Sequence, residues 1–181
     1  KAPPEPPALL RAGEQADEKQ RIGRAAADLI DEGDTVFLGA GTTVMEVARH
    51  VHDRRRLTVI TNSLLVFQVL ADAPDLNLVG LGGLFRKGER SFVGDITEQA
   101  LERVRAAKVF LGVRALDVNE GLTEEYPPEA ATNRQIVKSG RHVIVVADHT
   151  KFGRVAGSVI APVTAMHTLV TDGDAPSADV E

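Results

Sequence analysis

The feature that most constrains the fold of this chain is a repeated alternation of short apolar runs with amphipathic segments. The run Thr35–Leu38 is almost wholly apolar, and the segment before it carries Ile22, Ala26 and Leu29 at helical spacing. Short apolar runs between helices are typical of strands buried on both faces, and such strands form parallel sheets. The alternation predicts an α/β fold: a mostly parallel sheet with helices on both faces.

The same periodicities divide the whole chain into elements. The predicted strands are residues 35–38, 57–60, 76–81, 108–113, 142–147 and 168–171. The predicted helices are residues 14–29, 44–51, 64–70, 95–104 and 128–139, with a loop before the last of them. Residues 14–173 are therefore expected to form one α/β domain, and residues 174–181 a disordered tail.

The amino-terminal residues 1–13 differ in composition from the rest. Four of the first seven residues are proline, and the chain starts without methionine. A proline run favours extended backbone and is typical of an interdomain linker. We expect residues 1–13 to be such a linker, in the downstream part of a longer protein; a frayed natural terminus is the alternative.

Charge and composition exclude several classes of function. The chain has 21 Lys and Arg against 26 Asp and Glu, a formal net charge of −5, which argues against a nucleic-acid-binding face. It has no cysteine, which excludes disulfides and Cys-ligated zinc. No apolar run approaches the roughly 18–20 residues of a membrane span, and no secretory signal is visible. We predict a cytoplasmic protein.

Small and hydroxylated residues follow four of the predicted strands. They are residues 39–43 (Gly-Ala-Gly-Thr-Thr), 61–63 (Thr-Asn-Ser), 82–83 (Gly-Gly) and 147–151 (Ala-Asp-His-Thr-Lys). Ligands of open α/β sheets bind outside the carboxyl ends of the strands. Glycines let backbone amides approach an anion, and a helix start offers unpaired N–H groups. These junctions predict a site for a phosphate or a carboxylate.

No single junction is diagnostic. A dinucleotide-binding turn would have glycine where Val44 stands, and a Walker motif would have lysine after Gly41. One such turn by itself is better explained as a tight strand-to-helix connection with a capped helix; four of them in one sheet favour the anion site. The basic segment 86–90 is either a surface loop or part of the anion site, and Glu124 either binds sugar hydroxyls or is solvated. The histidines lack metal-ligand spacing, so no metal and no cofactor are predicted.

Taken together, these segments resemble the effector-sensing domain of the DeoR family of bacterial transcriptional regulators. The matching segments are Glu18-Lys19 with Ile22, residues 33–38, 40–43, 59–63, 82–83, Ser91 with Gly94, residues 121–123, Ala147-Asp148 with residues 151–153, and Thr171-Asp172. Their order and spacing cover roughly residues 11–173.

The resemblance implies a repressor of carbohydrate metabolism genes whose sensor domain binds a phosphorylated sugar or related metabolite. It implies a winged helix-turn-helix, absent from this chain, that binds operator DNA, and a homo-oligomer, either a dimer or a tetramer. The ligand-binding residues that we expect are Gly41, Thr42, Thr43, Asn62, Ser63, Gly82, Gly83, Lys87, Arg90, Gly94, Asp148 and Lys151.

The family's sensor domain is similar in fold to ribose-5-phosphate isomerase, so an enzyme is the alternative. The isomerase segment Asp-Gly-Ala-Asp-Glu corresponds here to residues 111–115 (Leu-Gly-Val-Arg-Ala), and its segment Thr-Arg-Glu-Lys-Ile to residues 132–136, where Arg134 replaces the general base. Arginine cannot act as a base in proteins. We therefore predict binding without catalysis and no catalytic residue; a sugar-phosphate isomerase or deaminase-like enzyme remains the alternative.

Overall fold

The computed structural model describes residues 6–180. Its strands are β1 (Thr35–Leu38), β2 (Leu57–Thr61), β3 (Leu76–Gly80), β4 (Leu84–Arg86), β5 (Ser91–Val93), β6 (Ala106–Gly112), β7 (Ala115–Asp117), β8 (Gly121–Glu124), β9 (Gly140–Val146), β10 (Ser158–Ala161) and β11 (Thr168–Val170). Its helices are α1 (Ala8–Arg11), α2 (Ala16–Ala27), α3 (Thr42–Val51), α4 (Leu64–Leu70), α5 (Asp95–Leu101), α6 (Pro127–Ser139) and α7 (Ser177–Val180).

Six strands form the central sheet in the order β11-β9-β6-β1-β2-β3. All five pairings in this sheet are parallel. The first strand, β1, lies between β2 and β6, so the residues that follow it reach the middle of the carboxyl edge. The predicted parallel sheet is confirmed.

Successive side chains of β1 enter two separate cores. Val36 and Leu38 pack with the apolar faces of α2, α3 and α4, whereas Phe37 packs with α5 and α6 on the other side. All three side chains are fully buried. A strand alternates its side chains between faces, so an apolar run without polar interruptions requires a layer on each side. Helices on both faces are confirmed.

One glycine explains how closely two of these helices approach. A Cβ atom on Gly23 of α2 would lie 2.6 Å from the Cβ of Glu46 on α3, closer than van der Waals contact allows. Glycine in a helix interior is destabilising relative to alanine, so its place here follows from the packing. The close pair fixes the position of α3, whose first turn lies at the carboxyl edge of the sheet.

The second half of the chain contains more strands than the sequence predicted. β4 and β5 form an antiparallel hairpin, and β10, β8 and β7 form a three-stranded antiparallel sheet. Residues 114–127, expected to be loop, include β7 and β8, and residue 86 of the predicted basic loop belongs to β4. These strands have only three or four residues, too few for a clear sequence periodicity.

The two ends of the chain also differ from the expectation. Helix α1 lies within the predicted linker 1–13 and buries Ala8 completely; residues 1–5 of that linker lie outside the described residues. Helix α7 lies within the predicted tail 174–181, of which residue 181 is also outside the description. Pro7 precedes α1 with extended backbone angles, so the proline run ends where this helix begins.

Among the helices of residues 6–180, none is long and apolar enough to cross a membrane.

Candidate functional site

A polar cleft lies at the carboxyl ends of β1, β6 and β9, where ligands of parallel α/β sheets bind. We call it the cleft throughout. It is lined by Arg11, Lys19, Ala40, Gly41, Thr42, Thr43, Glu89, Gly112, Val113, Arg114, Glu124, Glu129, Asn133, Val146, Ala147 and Lys151.

The amino terminus of α3 forms one wall of the cleft. Gly41 precedes the helix with φ of +118°, a conformation that side-chain-bearing residues rarely adopt, and no side chain caps the helix there. Thr42 and Thr43 follow and are buried. The first-turn N–H groups of a helix have no partner within the helix, and the helix dipole favours an anion beside them.

The end of β6 packs closely against the residues that lead into this turn. A Cβ atom on Gly112, at the end of β6, would lie 3.0 Å from the carbonyl oxygen of Ala40 and 3.4 Å from Cγ2 of Val44. Gly41, by contrast, would place a Cβ in open space. The exit of β6 therefore passes directly against the α3 turn, and glycine is the residue that fits there.

Four basic side chains line the cleft: Arg11, Lys19, Arg114 and Lys151. Lys19 is 5% exposed, and its Nζ donates hydrogen bonds of 2.6 Å to the main-chain oxygens of Arg11 and Glu14. Burial lowers the pKa of Lys19, and the neighbouring charges of Lys151 and Arg11 lower it further, against opposing effects of Asp148 and Glu14. An anion in the cleft would stabilise this crowded positive charge.

Carboxylates and an amide lie on the other walls. Glu89 pairs with Arg11, and Glu129 pairs with Arg86. Glu124 is buried and accepts a 2.8 Å hydrogen bond from the N–H of Glu125. Asn133 of α6 is also buried at the cleft. Carboxylate and amide oxygens accept hydrogen bonds from hydroxyl groups, so the cleft combines an anion-favouring wall with acceptors suited to a polyol.

The cleft continues into a wider pocket of about 280 Å³. The two share Arg11, Lys19, Arg114 and Lys151, and Asp148 lines the wider part. Asp148 accepts a 3.0 Å hydrogen bond from the N–H of Thr150, which caps the short 3₁₀ turn His149–Lys151.

The structure brings together some of the predicted site residues. Gly41, Thr42, Thr43 and Lys151 line the cleft, with Asp148 in its wider part. Asn62, Ser63 and Gly82 instead line a separate, mostly apolar pocket of about 270 Å³ beyond β2 and β3.

Most polar groups of Asn62, Ser63 and Gly82 make contacts within the fold, although Oδ1 of Asn62 is buried without a hydrogen-bond partner among the described residues. Asn62 donates from Nδ2 to the carbonyl oxygen of Phe92 at 2.9 Å. Ser63 Oγ accepts from the N–H of Val66 and so caps α4. The carbonyl oxygen of Gly82 accepts from Thr97 Oγ1 at 2.8 Å.

The four other predicted residues lie on or beside the β4–β5 hairpin. Gly83 has φ of +155°, and a Cβ there would lie 2.1 Å from Thr97 Oγ1. Lys87 is exposed, and the carbonyl oxygen of Arg90 accepts from the N–H of Leu64 at 2.7 Å. Gly94 precedes α5 and donates to Thr132 Oγ1 at 3.0 Å. In the described structure none of the four lines the cleft.

Several residues of the cleft were not among the predicted ligands. Lys19 matches a family segment, and Glu124 was a candidate for sugar hydroxyls, so both carried a sequence signal. Arg11 carried none, because it lies in the segment expected to be a linker. Glu89 belongs to the basic segment 86–90, which was a candidate for the anion site, whereas Glu129 of α6 carried no sequence signal; both line the cleft.

The two segments that correspond to isomerase segments, residues 111–115 and 132–136, differ in how they contribute to the cleft. Gly112 and Arg114 of the first segment do line the cleft. In the second segment Arg134 is exposed and donates to the carbonyl oxygen of Val159, while its neighbour Asn133 lines the cleft. The cleft also contains two carboxylates, Glu124 and Glu129, that lie outside both isomerase-like segments.

A second polar cluster lies beyond β11. The side-chain atoms of His149, Asp172 and Asp174 that could bind a metal ion lie within 4.8 Å of one another. Asp172 accepts from the N–H groups of His149 at 2.8 Å and Asp174 at 3.0 Å. Burial alone would raise the pKa of Asp172, but these bonds and the charge of His149 lower it below its usual value. These hydrogen bonds hold the Asp172 carboxylate against the 3₁₀ turn that begins at His149.

The fold defines the class: a parallel α/β domain with a charge-rich polar cleft at the carboxyl edge of its sheet. The profile of the family described as the DeoR C terminal sensor domain matches residues 14–173. The chain belongs to this family, which confirms the resemblance found in the sequence.

Relatives with curated descriptions agree with this assignment. Transcriptional repressor AccR of Agrobacterium fabrum is 37% identical over 167 residues, which are 92% of this chain and 65% of that protein. The glycerol-3-phosphate regulon repressor of Escherichia coli is 32% identical over 92% of this chain and 66% of its own length. The chain thus spans slightly less than two thirds of these relatives.

Solved structures support the fold. Ribose 5-phosphate isomerase A from Methanocaldococcus jannaschii has a TM-score of 0.55 and 16% sequence identity, covering 77% of this chain and 55% of that one. At this identity the likeness concerns the fold alone.

Proposed function

We propose that this chain is the sensor domain of a DeoR-type transcriptional repressor and that its cleft binds a phosphorylated sugar or a related metabolite. The observation that carries the proposal is the uncapped start of α3 at Gly41, which lines the same cleft as the buried Lys19 and the cations Arg114 and Lys151. A helix start and several cations together favour a phosphate group.

The acceptors of the cleft suit the remainder of such a ligand. Glu124 and Asn133 are buried and face the same space as the α3 turn. Hydroxyl groups donate to carboxylate and amide oxygens. A phosphorylated polyol would therefore place its anion at α3 and its hydroxyls toward β8 and α6. The relative described as a glycerol-3-phosphate regulon repressor supports this ligand class.

The repressor is proposed to bind operator DNA through a winged helix-turn-helix outside this chain, and to act in the cytoplasm as a homo-oligomer. A net charge of −5 is consistent with DNA binding by another part of the protein. Ligand binding would change operator affinity by shifting a conformational equilibrium, and by no more than the difference in ligand affinity between the two states.

An enzyme is the second candidate, and one observation favours it. Glu124 and Glu129 place two buried carboxylates at the cleft, and a carboxylate is a common general base. Against this, Glu129 is paired with Arg86, and the curated relatives are described as repressors. We infer binding without turnover.

A thermal-shift screen tests the proposal. Purified residues 1–181 are heated with phosphorylated sugars, glycerol 3-phosphate and inorganic phosphate, each beside its unphosphorylated counterpart where one exists. A ligand at 100 times its Kd adds about 2.7 kcal/mol of stability. We expect a shift with at least one phosphorylated compound and none with its counterpart. No shift across the panel would contradict the proposed ligand class.

An activity assay separates the two candidates. The compounds that bind are incubated with the chain and followed by NMR for interconversion of aldose and ketose phosphates. We expect no conversion. Turnover that is lost in Glu124→Gln would establish the enzyme instead.

A further inference from the structure

Helix α1 lies against the domain through a small contact. Ala8 is 0% exposed and packs against Met45 and Leu65, and its N–H donates to the carbonyl oxygen of Gly88 at 2.8 Å. The opposite face of the helix is open, with Leu9 55% and Leu10 68% exposed. A helix of four residues has no stability of its own, so its position depends on these few contacts.

An ion pair fastens the same helix to the β4–β5 hairpin. The guanidinium of Arg11 lies 2.5 Å from Oε2 of Glu89, and the two side chains are 9% and 11% exposed. Glu89 lies one residue after Gly88, the acceptor for Ala8. Both attachments therefore join α1 to one turn of the hairpin.

Lys19 holds the carboxyl end of the helix. Its ammonium donates to the main-chain oxygens of Arg11 and Glu14, the segment that connects α1 to α2. Arg11, Lys19 and Glu89 all line the cleft. Two of the groups that fasten α1, the side chains of Arg11 and Lys19, are thus cations that an anion in the cleft would contact.

We propose that Arg11 is a ligand-binding residue that α1 carries into the cleft, so that docking of α1 and occupancy of the cleft stabilise each other. This rests on the proposed function, since it requires an anionic ligand. The ligand contacts Arg11 only when α1 is docked and therefore binds the docked state more tightly. The coupling is reciprocal: loss of α1 docking lowers the ligand affinity by the same factor by which the bound ligand raises the equilibrium constant for docking.

The chain offers a matched pair of variants for the test. Ala8→Asp places a charge in the buried contact and undocks α1, although Ala8 does not line the cleft. Leu10→Asp adds the same charge to the exposed face of the same helix. Arg11→Ala removes the proposed ligand contact together with the ion pair to Glu89. The double variant Ala8→Asp with Arg11→Ala completes a thermodynamic cycle.

Binding of inorganic phosphate and of the best-binding phosphorylated compound from the screen is measured by calorimetric titration for the wild type and all four variants. We expect Ala8→Asp and Arg11→Ala each to weaken binding about tenfold or more, since a charged hydrogen bond is lost. The double variant should be no weaker than either single variant, and Leu10→Asp should bind like the wild type.

Amide hydrogen exchange at residues 9–12 reports docking without reference to affinity. Phosphate should slow exchange there in the wild type and in Leu10→Asp. Ala8→Asp should exchange fast with or without phosphate, while amides of β1 and β6 stay protected, which shows that the domain remains folded.

The failures are distinguishable. If the wild type binds neither phosphate nor any phosphorylated compound, the proposed function fails. If it binds them but Ala8→Asp leaves the affinity unchanged, the role of α1 is refuted while the proposed function stands. The same holds if the losses of binding free energy in Ala8→Asp and Arg11→Ala add up in the double variant.

Discussion

Lys108 of β6 reaches Asp34, the residue before β1, with 2.6 Å between its Nζ and Oδ2 of Asp34. This pair lies at the amino ends of the two central strands, opposite the cleft. Burial alone would raise the pKa of Asp34, but hydrogen bonds from Lys108 and from the N–H of Asp31 lower it below its usual value. The pKa of Lys108 is correspondingly raised by its hydrogen bonds to Asp31 and Asp34, against the effect of burial.

The first prediction concerns pH. A carboxylate whose pKa is lower in the folded state stabilises the fold above its unfolded pKa, about 3.9, and loses this contribution as the pH falls through the folded value. We expect Asp34→Asn to reduce the free energy of unfolding by about 1 kcal/mol at pH 7. In urea denaturation at pH values from 7 to 2, the difference should shrink below about pH 4. A difference independent of pH would contradict the ionic contribution.

The second prediction concerns the α3 turn. Thr43→Val keeps the branched shape and deletes the hydroxyl, so affinity for the phosphorylated ligand should fall about tenfold or more if the hydroxyl donates to the phosphate. Thr35→Val, at the amino end of β1, is the matched control and should bind like the wild type. Calorimetric titration of the three proteins decides. Equal dissociation constants for Thr43→Val and the wild type would remove Thr43 from the site.

The third prediction uses the close packing at the end of β6. Gly112→Ala places a methyl group 3.0 Å from the carbonyl oxygen of Ala40, a contact tight enough that the start of the α3 turn has to shift slightly. Phosphate binding should weaken by about tenfold or more, since the N–H groups of the turn are displaced. Gly157→Ala, where a Cβ meets nothing within 4 Å, is the control. The melting temperatures of both variants show whether they are folded under the binding conditions. A Gly112→Ala protein that loses binding because it is unfolded would contradict this prediction.

The fourth prediction concerns DNA. Residues 1–181 alone should show no sequence-specific affinity for an operator at physiological salt, because the net charge is −5. Fluorescence anisotropy with operator fragments tests this beside the full-length protein. Specific binding by residues 1–181 would mean that the sensor domain itself contacts DNA.

The sequence predicted the central sheet because its strands are fixed by local apolar runs. The run at 35–38 identifies a strand buried on both faces without knowledge of its neighbours. The strands β7 and β8 are different: with three and four residues, they form through pairing with each other and with β10. Such pairing depends on residues far along the chain, which a local pattern does not contain.

The residues of the candidate site also fall into those that a local sequence pattern indicates and those that only the tertiary structure brings together. The α3 turn was predicted because Gly41, Thr42 and Thr43 are adjacent in the sequence. Arg11 and Glu89 are 78 positions apart and meet through α1 and the hairpin. Asn62 and Ser63 also have the residue types of an anion site; Asn62 Nδ2 donates to the carbonyl oxygen of Phe92 and Ser63 Oγ caps α4, whereas Asn62 Oδ1 is buried without a hydrogen-bond partner among the described residues. Residue type alone does not distinguish a ligand contact from a helix cap.

The placement of β1 has a consequence for how this domain can change over generations. Val36, Phe37 and Leu38 alternate between two cores, and Gly41 follows them at the cleft. Any of the three can be exchanged for another apolar residue of similar size with local repacking. A one-residue insertion or deletion within β1 would instead send the side chains on one side of the change to the wrong core, or displace the α3 turn. Variation in β1 should therefore consist of substitutions, and changes of length should be confined to segments such as the turn between β7 and β8.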